Sequence, residues 1–206
     1  VLFADIQGFT KIAEEMDADK LIDQLDKFYF HFDSVVEKYN IEKIKTIGDA
    51  YMAAGGLKSN NNNDAANVIR AALKMRDFIA EGKAKKVEQG LPYFEIRLGI
   101  HTGGVVAGIV GVKKYQYDIW GDTVNVAARM EQSGTVGRVN ISRSTYEKIK
   151  GNVQEVRARR GKIISVVTEG DEEIAELMGK TVSFSKSQLS RAHARLRTAL
   201  GEETRC

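Results

Sequence analysis

The chain holds one cysteine, Cys206, at its last position, so an intrachain disulfide and a cysteine-based metal site are both excluded. A reducing compartment, the cytoplasm, is therefore expected for this domain. Its single proline, Pro92, leaves collagen-like and proline-rich low-complexity architectures without support. The longest nearly apolar stretch, Gly103 to Val112, is glycine-rich and well short of the ~20 residues a membrane-spanning helix needs. His31, His101 and His193 have no ligand spacing among them and read neither as a metal site nor as catalytic bases. Gly161-Lys162 lacks the upstream glycine and the following Ser/Thr of a P-loop. No basic-then-apolar signal segment opens the chain. Val1 lies inside an apolar run without an initiator Met, so upstream sequence is expected.

What is present fits a globular domain of 206 residues, 43% hydrophobic and 29% charged. A net charge of +3 is too mild to require a nucleic acid or an anionic membrane. Val1 to Asp5 reads as a buried strand, followed by a turn containing Gly8. From Asp19 onward, Leu21, Ile22, Leu25, Phe28, Tyr29, Phe32, Val35, Val36 and Tyr39 recur at three- and four-residue steps, which predicts a long helix with one buried stripe. Ile41 to Thr46 and Ala50 to Ala54 read as a hairpin about Gly48-Asp49. The polar Ser59 to Asp64 leads into a helix to about Glu88. Ile96, Leu98 and Ile100 alternate with Arg97, Gly99 and His101 in a strand, with Val105 to Val112 expected as its hairpin partner across Gly103-Gly104. A helix from Gly121-Asp122 to Glu131, a short strand over Arg138 to Ser142 and a helix ending near Gly151 complete the pattern. This order predicts an α+β fold: a ferredoxin-like, mixed and largely antiparallel sheet covered by helices on one face, with a C-terminal subdomain. The text changes character after residue 167, so a domain over 1–167 and a divergent tail over 168–206 are expected.

Asp5 and Asp49 each end a strand beside a glycine-containing turn. On neighbouring strands they would meet at one rim, where paired hard oxygens suit Mg²⁺ with a nucleotide triphosphate; alternatively each Asp simply favours its turn. Gly8-Phe9-Thr10 enters a helix whose free N–H groups suit phosphate. Arg97, opposite three apolar residues, can reach a phosphate or merely face solvent. Lys43 and Lys45 are expected on one strand face. Asp118, an acid among Tyr117, Ile119 and Trp120, needs a partner: a donor-only lysine and an acceptor-only aspartate can read adenine together or form a structural pair. Asn125 and Arg129 are four apart on one helix and can share a face toward a transferring phosphoryl group, or toward solvent.

Four segments, LFADIQGFT (Leu2 to Thr10), EKIKTIGDAYMAAGGL (Glu42 to Leu57), RLGIHTGGVVAGIVG (Arg97 to Gly111) and QYDIWGDTVNVAARME (Gln116 to Glu131), stand in an order that resembles the class III nucleotidyl cyclase catalytic domain. The resemblance implies conversion of a nucleoside triphosphate to its 3′,5′-cyclic monophosphate and pyrophosphate by a homodimer with two Mg²⁺ or Mn²⁺ ions per site. It assigns the metals to Asp5, Asp49 and the Ile6 carbonyl, and the phosphates to Gly8, Phe9, Thr10 and Arg97. Lys45 and Asp118, with Ile119 beside them, match the purine-selecting positions of adenylyl cyclases, where guanylyl cyclases usually carry Glu and Cys or a similar small residue, so ATP is the expected substrate, the alternatives being a guanylyl or dual-specificity cyclase or a nucleotide-binding but inactive cyclase-like module. Asn125 matches the ribose-orienting residue and Arg129 the one that stabilises the transition state. An upstream regulatory domain and an anchored parent protein are compatible with the family; a nucleic-acid partner is not expected, since no basic aromatic sheet face is evident. The family's further lysine, in a VKG-like segment after an Arg-Gly pair, has no counterpart after Arg160-Gly161-Lys162.

Overall fold

The computed structural model describes residues 1–58, 64–149 and 163–165, all within one unit, Val1–Val166. The expectations for Ser59 to Asn63, the helix end near Gly151, Arg160-Gly161-Lys162 and the tail lie outside the described residues. Chain order is β1 (Leu2–Gln7), α1 (Phe9–Glu15), α2 (Ala18–Lys38), β2 (Glu42–Ile47), β3 (Ala50–Ala54), α3 (Asp64–Glu88), β4 (Glu95–Ile100), β5 (Val106–Val110), β6 (Gln116–Trp120), α4 (Asp122–Gln132), β7 (Val139–Ile141), α5 (Arg143–Ile149) and β8 (Ile163–Ser165). Among the described residues no helix is long and apolar enough to cross a membrane.

Six strands form one sheet in the order β2-β3-β1-β4-β7-β8. The first four pair antiparallel, whereas β4-β7 and β7-β8 are parallel, so the sheet is mixed as expected. Central β1 is buried through Leu2, Phe3, Ala4 and Ile6, and its period of two sends Phe3 and Asp5 to the face opposite Leu2, Ala4 and Ile6. α2 begins on an Asp17 cap, whose side chain accepts from the Lys20 N–H at 3.4 Å. It packs Phe32 edge-on against Tyr51 and Phe28 against Phe78 of α3. Ile22, expected in the buried stripe, is 63% exposed: it lies beyond the arc that Leu21, Leu25 and Phe28 turn inward.

Three sequence expectations are corrected. Helices occupy both faces of the sheet, not one. α4 crosses the face of Phe3 and Asp5, where Ala127 joins Phe3, Met52, Ala54 and Ile119 in a small core. The approach requires Gly99, because a Cβ there would lie 2.0 Å from the backbone N of Glu131. Second, β5 does not pair with β4, whose free edge is taken by β7; it pairs with β6, Gly108 opposite Asp118, as a separate two-stranded ribbon. Gly103-Gly104 is thus a crossing segment, tied to α4 by the Thr123 hydroxyl donating to the Gly104 carbonyl at 2.7 Å.

Third, Lys43 and Lys45 do not share a face. A β-bulge between them leaves Lys43 opposite Ala53 and Lys45 opposite Met52, consecutive residues of β3. Lys43 turns to α2, donating to Asp33 at 2.8 Å, while Lys45 turns to the ribbon.

Candidate active site

Asp5 near the end of β1 and Asp49 in the β2-β3 turn meet at one rim because β1 and β3 are antiparallel neighbours. The turn relies on Gly48 at φ 61°. Burial pushes the Asp5 carboxyl above its ordinary range and the Asp49 charge pushes it further, against the opposing pull of Arg97. Two half-buried carboxylates at one rim, with the Asp49 charge making the ionised form of Asp5 costlier, suit a divalent cation that offsets that charge. No group of three or more His, Cys, Asp or Glu able to hold a metal occurs among the described residues, so an ion here would complete its shell with water and phosphate oxygens, as Mg²⁺ does.

Arg97 stands directly across from Asp5 in the β1-β4 register, its neighbours Ile96 and Leu98 buried on the other face. Its nitrogens are spread over three acceptors: Nε donates to Glu131 Oε1 at 2.7 Å, one terminal nitrogen to Asp5 Oδ2 at 3.3 Å and the other to the Gln132 carbonyl at 3.4 Å. Glu131 is a residue that sequence reasoning missed, although it closes the last of the quoted motifs. Burial raises its pKa, Arg97 opposes that, and Asp5 and Asp49 add to it.

Lys45 Nζ donates to Asp118 Oδ2 at 2.5 Å, and the Ile119 N–H donates to Asp118 Oδ1 at 2.9 Å. Burial alone would raise the Asp118 pKa; the Lys45 hydrogen bond, the Ile119 N–H and the lysine charge outweigh it and hold the carboxyl below its usual range. Ile119 itself is buried. Asn125 and Arg129 lie on an exposed stripe of α4, where neither side chain has a hydrogen bond or ion pair among the described residues. Gly8, at φ 69°, is the N-cap of α1, and its carbonyl accepts from the Ile12 N–H at 3.1 Å, so Phe9 and Thr10 carry first-turn N–H groups without helical acceptors.

Of the sequence-predicted residues, Asp5, Asp49 and Arg97 gather at the rim, and Lys45 of β2 reaches Asp118 of the ribbon, with Ile119 next to it; Asn125 and Arg129 point outward from α4. Near the two aspartates lies Tyr29 of α2, whose buried hydroxyl has no hydrogen-bond partner among the described residues and whose pKa is raised by burial and by the charges of Asp49 and Asp5.

A mixed α+β domain with a carboxylate pair at one rim and a lysine–aspartate pair between β2 and β6 fits what the resemblance to the nucleotidyl cyclase catalytic domain led us to expect. The comparison with known proteins agrees: the chain belongs to the adenylate and guanylate cyclase catalytic domain family, which it matches over residues 1–178. It is 36% identical over 195 residues to an adenylate cyclase of Mycobacterium tuberculosis, covering 95% of this chain and 42% of the relative. It is 40% identical over 151 residues to guanylyl cyclase C of Homo sapiens, covering 73% of this chain and 14% of the relative. The chain therefore spans less than half the length of these curated relatives. Among solved structures, the adenylyl cyclase CyaB from P. aeruginosa superposes with a TM-score of 0.68 at 32% identity, covering 73% of this chain and 79% of that one.

Proposed function

We propose that the chain is an adenylyl cyclase catalytic domain that converts ATP to 3′,5′-cyclic AMP and pyrophosphate at sites shared between two copies of itself. The observation that carries the choice of ATP is the Lys45–Asp118 pair, held beside buried Ile119. With adenine present, the lysine donates to a ring nitrogen and the aspartate accepts from the 6-amino group. Guanine offers an acceptor where adenine has the amino group, and would leave the buried carboxylate facing it.

Asp5, Asp49 and the Ile6 carbonyl are the groups that would hold Mg²⁺ or Mn²⁺. Bound there, the ions would lower the pKa of the ribose 3′-hydroxyl and neutralise triphosphate charge. The chain's own contribution is positioning. N–H groups of Gly8, Phe9 and Thr10 receive phosphate oxygens, Asn125 orients the ribose, and Arg129 meets charge as the 3′-oxygen bonds to the α-phosphorus and the bond to pyrophosphate breaks. The hydroxyl proton passes to solvent. Arg97 contacts the triphosphate after giving up part of its present set of protein acceptors. Because Asn125 and Arg129 point away from Asp5, a second copy is the expected recipient of these side chains. The ribbon supports that reading: Val106 and Val110 on one of its faces are 70% and 50% exposed and Ile109 on the other is 68% exposed, apolar side chains of the kind an interface covers.

Similarity to guanylyl cyclase C gives the GTP reading a place in the test. The purified chain is incubated with Mn²⁺ and either ATP or GTP, and cyclic products are separated. Cyclic AMP formed preferentially from ATP, and abolished in a folded Asp49→Ala variant, is the expected result. Cyclic GMP as the main product would overturn the purine assignment. Activity surviving Asp49→Ala would overturn the metal assignment.

A further inference from the structure

Arg97 sits between two carboxylates and does not treat them alike. Its bond to Glu131 is 2.7 Å, the full length of a charge-assisted hydrogen bond, whereas its contact with Asp5 is 3.3 Å. Asp5 Oδ2 also accepts from the Gln7 amide at 3.0 Å, and Oδ1 takes no hydrogen bond among the described residues. The asymmetry has a visible cause in α4. Its last turn is seated against Gly99, the Met130 carbonyl accepts from Asn140 at 2.6 Å, and the Glu131 carbonyl accepts from the Gly134 N–H at 2.9 Å. The Glu131 side chain is only 8% exposed, so its carboxylate is fixed and Arg97 must come to it. The Gln132 carbonyl, one of the unpaired acceptors at the helix C-terminus, draws the guanidinium the same way.

We propose that Glu131 is a positioning residue for the metal carboxylate: by holding Arg97 Nε it limits the grip of the guanidinium on Asp5 and keeps Asp5 open to a divalent cation. Without that anchor Arg97 is free to fork onto both Asp5 oxygens, the atoms a cation needs, and competes with it. Glu131 thus acts on the metal through a second residue, as groups outside a coordination shell commonly do. The inference rests on the reading of Asp5 and Asp49 as metal ligands.

The test is a double-mutant cycle read as Mn²⁺ affinity of the nucleotide-free protein, from the electron paramagnetic resonance signal of free Mn²⁺. Glu131→Gln, close in shape to the native side chain, is expected to weaken binding about tenfold. Arg97→Gln is expected to strengthen it. In the Arg97→Gln background, Glu131→Gln is expected to change affinity by less than about twofold, because the competitor is gone. Equal weakening in both backgrounds would reduce Glu131 to a distant charge or a packing residue and overturn the proposal, as would unchanged affinity in the single variant. Should Glu131→Gln not fold, Glu131→Asp, which retracts the carboxylate from Arg97, takes its place with the same expected direction. Asp49→Asn separates the two ideas: if the unmutated chain binds no Mn²⁺, or if Asp49→Asn does not weaken binding, the metal reading itself fails. If binding depends on Asp49 but not on Glu131, only the present inference does.

Discussion

Lys45 and Asp118, 73 positions apart in the chain, meet at 2.5 Å because a bulge in β2 turns one lysine toward the ribbon and sends its neighbour Lys43 to the opposite face. The pair is mutually satisfied, so changing one member alone strands the other. Lys45→Met is expected to lower kcat/KM for ATP by at least about tenfold, since it leaves one oxygen of a buried carboxylate without its charged donor, only the Ile119 N–H remaining on the other. Lys45→Glu combined with Asp118→Cys, the types that the family resemblance associates with guanylyl cyclases, is expected to turn the preference toward GTP. The readout is the ratio of the two kcat/KM values. A double variant still selective for ATP would show that purine choice lies elsewhere.

Gly99 predicts a steric effect with a functional consequence. A Cβ at this position would meet the Glu131 backbone N at 2.0 Å and its Cα at 2.5 Å, and backbone atoms of a packed helix cannot step aside as a flexible side chain does. Gly99→Ala is expected to cost about 2 kcal/mol or more in urea denaturation. α4 also carries Asn125 and Arg129, so residual folded protein should lose turnover disproportionately. A Gly99→Ala protein of unchanged stability and activity would contradict the seating of α4.

The pKa shifts at the rim fix the sign of a pH effect. Asp5 and Glu131 both have folded-state pKa values raised above their ordinary 3.8 and 4.5, chiefly by burial. The folded protein therefore holds more protons than the unfolded chain across that window, and their contribution to stability falls as pH rises from the ordinary carboxylate range through the raised values. Asp5→Asn removes one such group. In metal-free buffer it should melt at a higher temperature than the unmodified chain at neutral pH, with the difference shrinking in acid as native Asp5 takes up its proton. A variant less stable than the parent at neutral pH would mean that the Arg97 contact outweighs burial.

Much of this arrangement is legible in the sequence because it rests on local periodicity. Alternation in β4 places Arg97 opposite Ile96 and Leu98, and Asp-containing turns after adjacent strands foretell the rim. What stays hidden depends on non-local geometry. Nothing between Lys43 and Lys45 signals the extra residue that puts them on different faces. Val105 to Val112 carries the same glycine and valine pattern whether it folds back on β4 or forward onto β6, and the edge of β4 is decided by β7. Glu131 reads as one more acid on a helix surface until Gly99 is seen to let that helix settle on the sheet.

The proposed sharing of each site between two copies gives the last prediction. Asp5 and Asp49 are at the rim, while Arg129 leaves α4 through its exposed stripe, so one copy alone does not aim both sets at a common point. In a symmetric pair joined through the ribbon, each site would take its carboxylates from one copy and its Arg129 from the other. Asp5→Ala and Arg129→Ala chains are each expected to be inactive. Mixed, they form heterodimers in which both defects fall in the same site and the second site is intact, so activity should return, up to about half that of the unmodified dimer for each heterodimer formed. Ile109→Glu, which places a charge on the apolar ribbon surface, should block both dimerisation, by light scattering, and this rescue. Persistent inactivity in verified heterodimers would mean that each copy builds its site alone, and Arg129 would then need another partner.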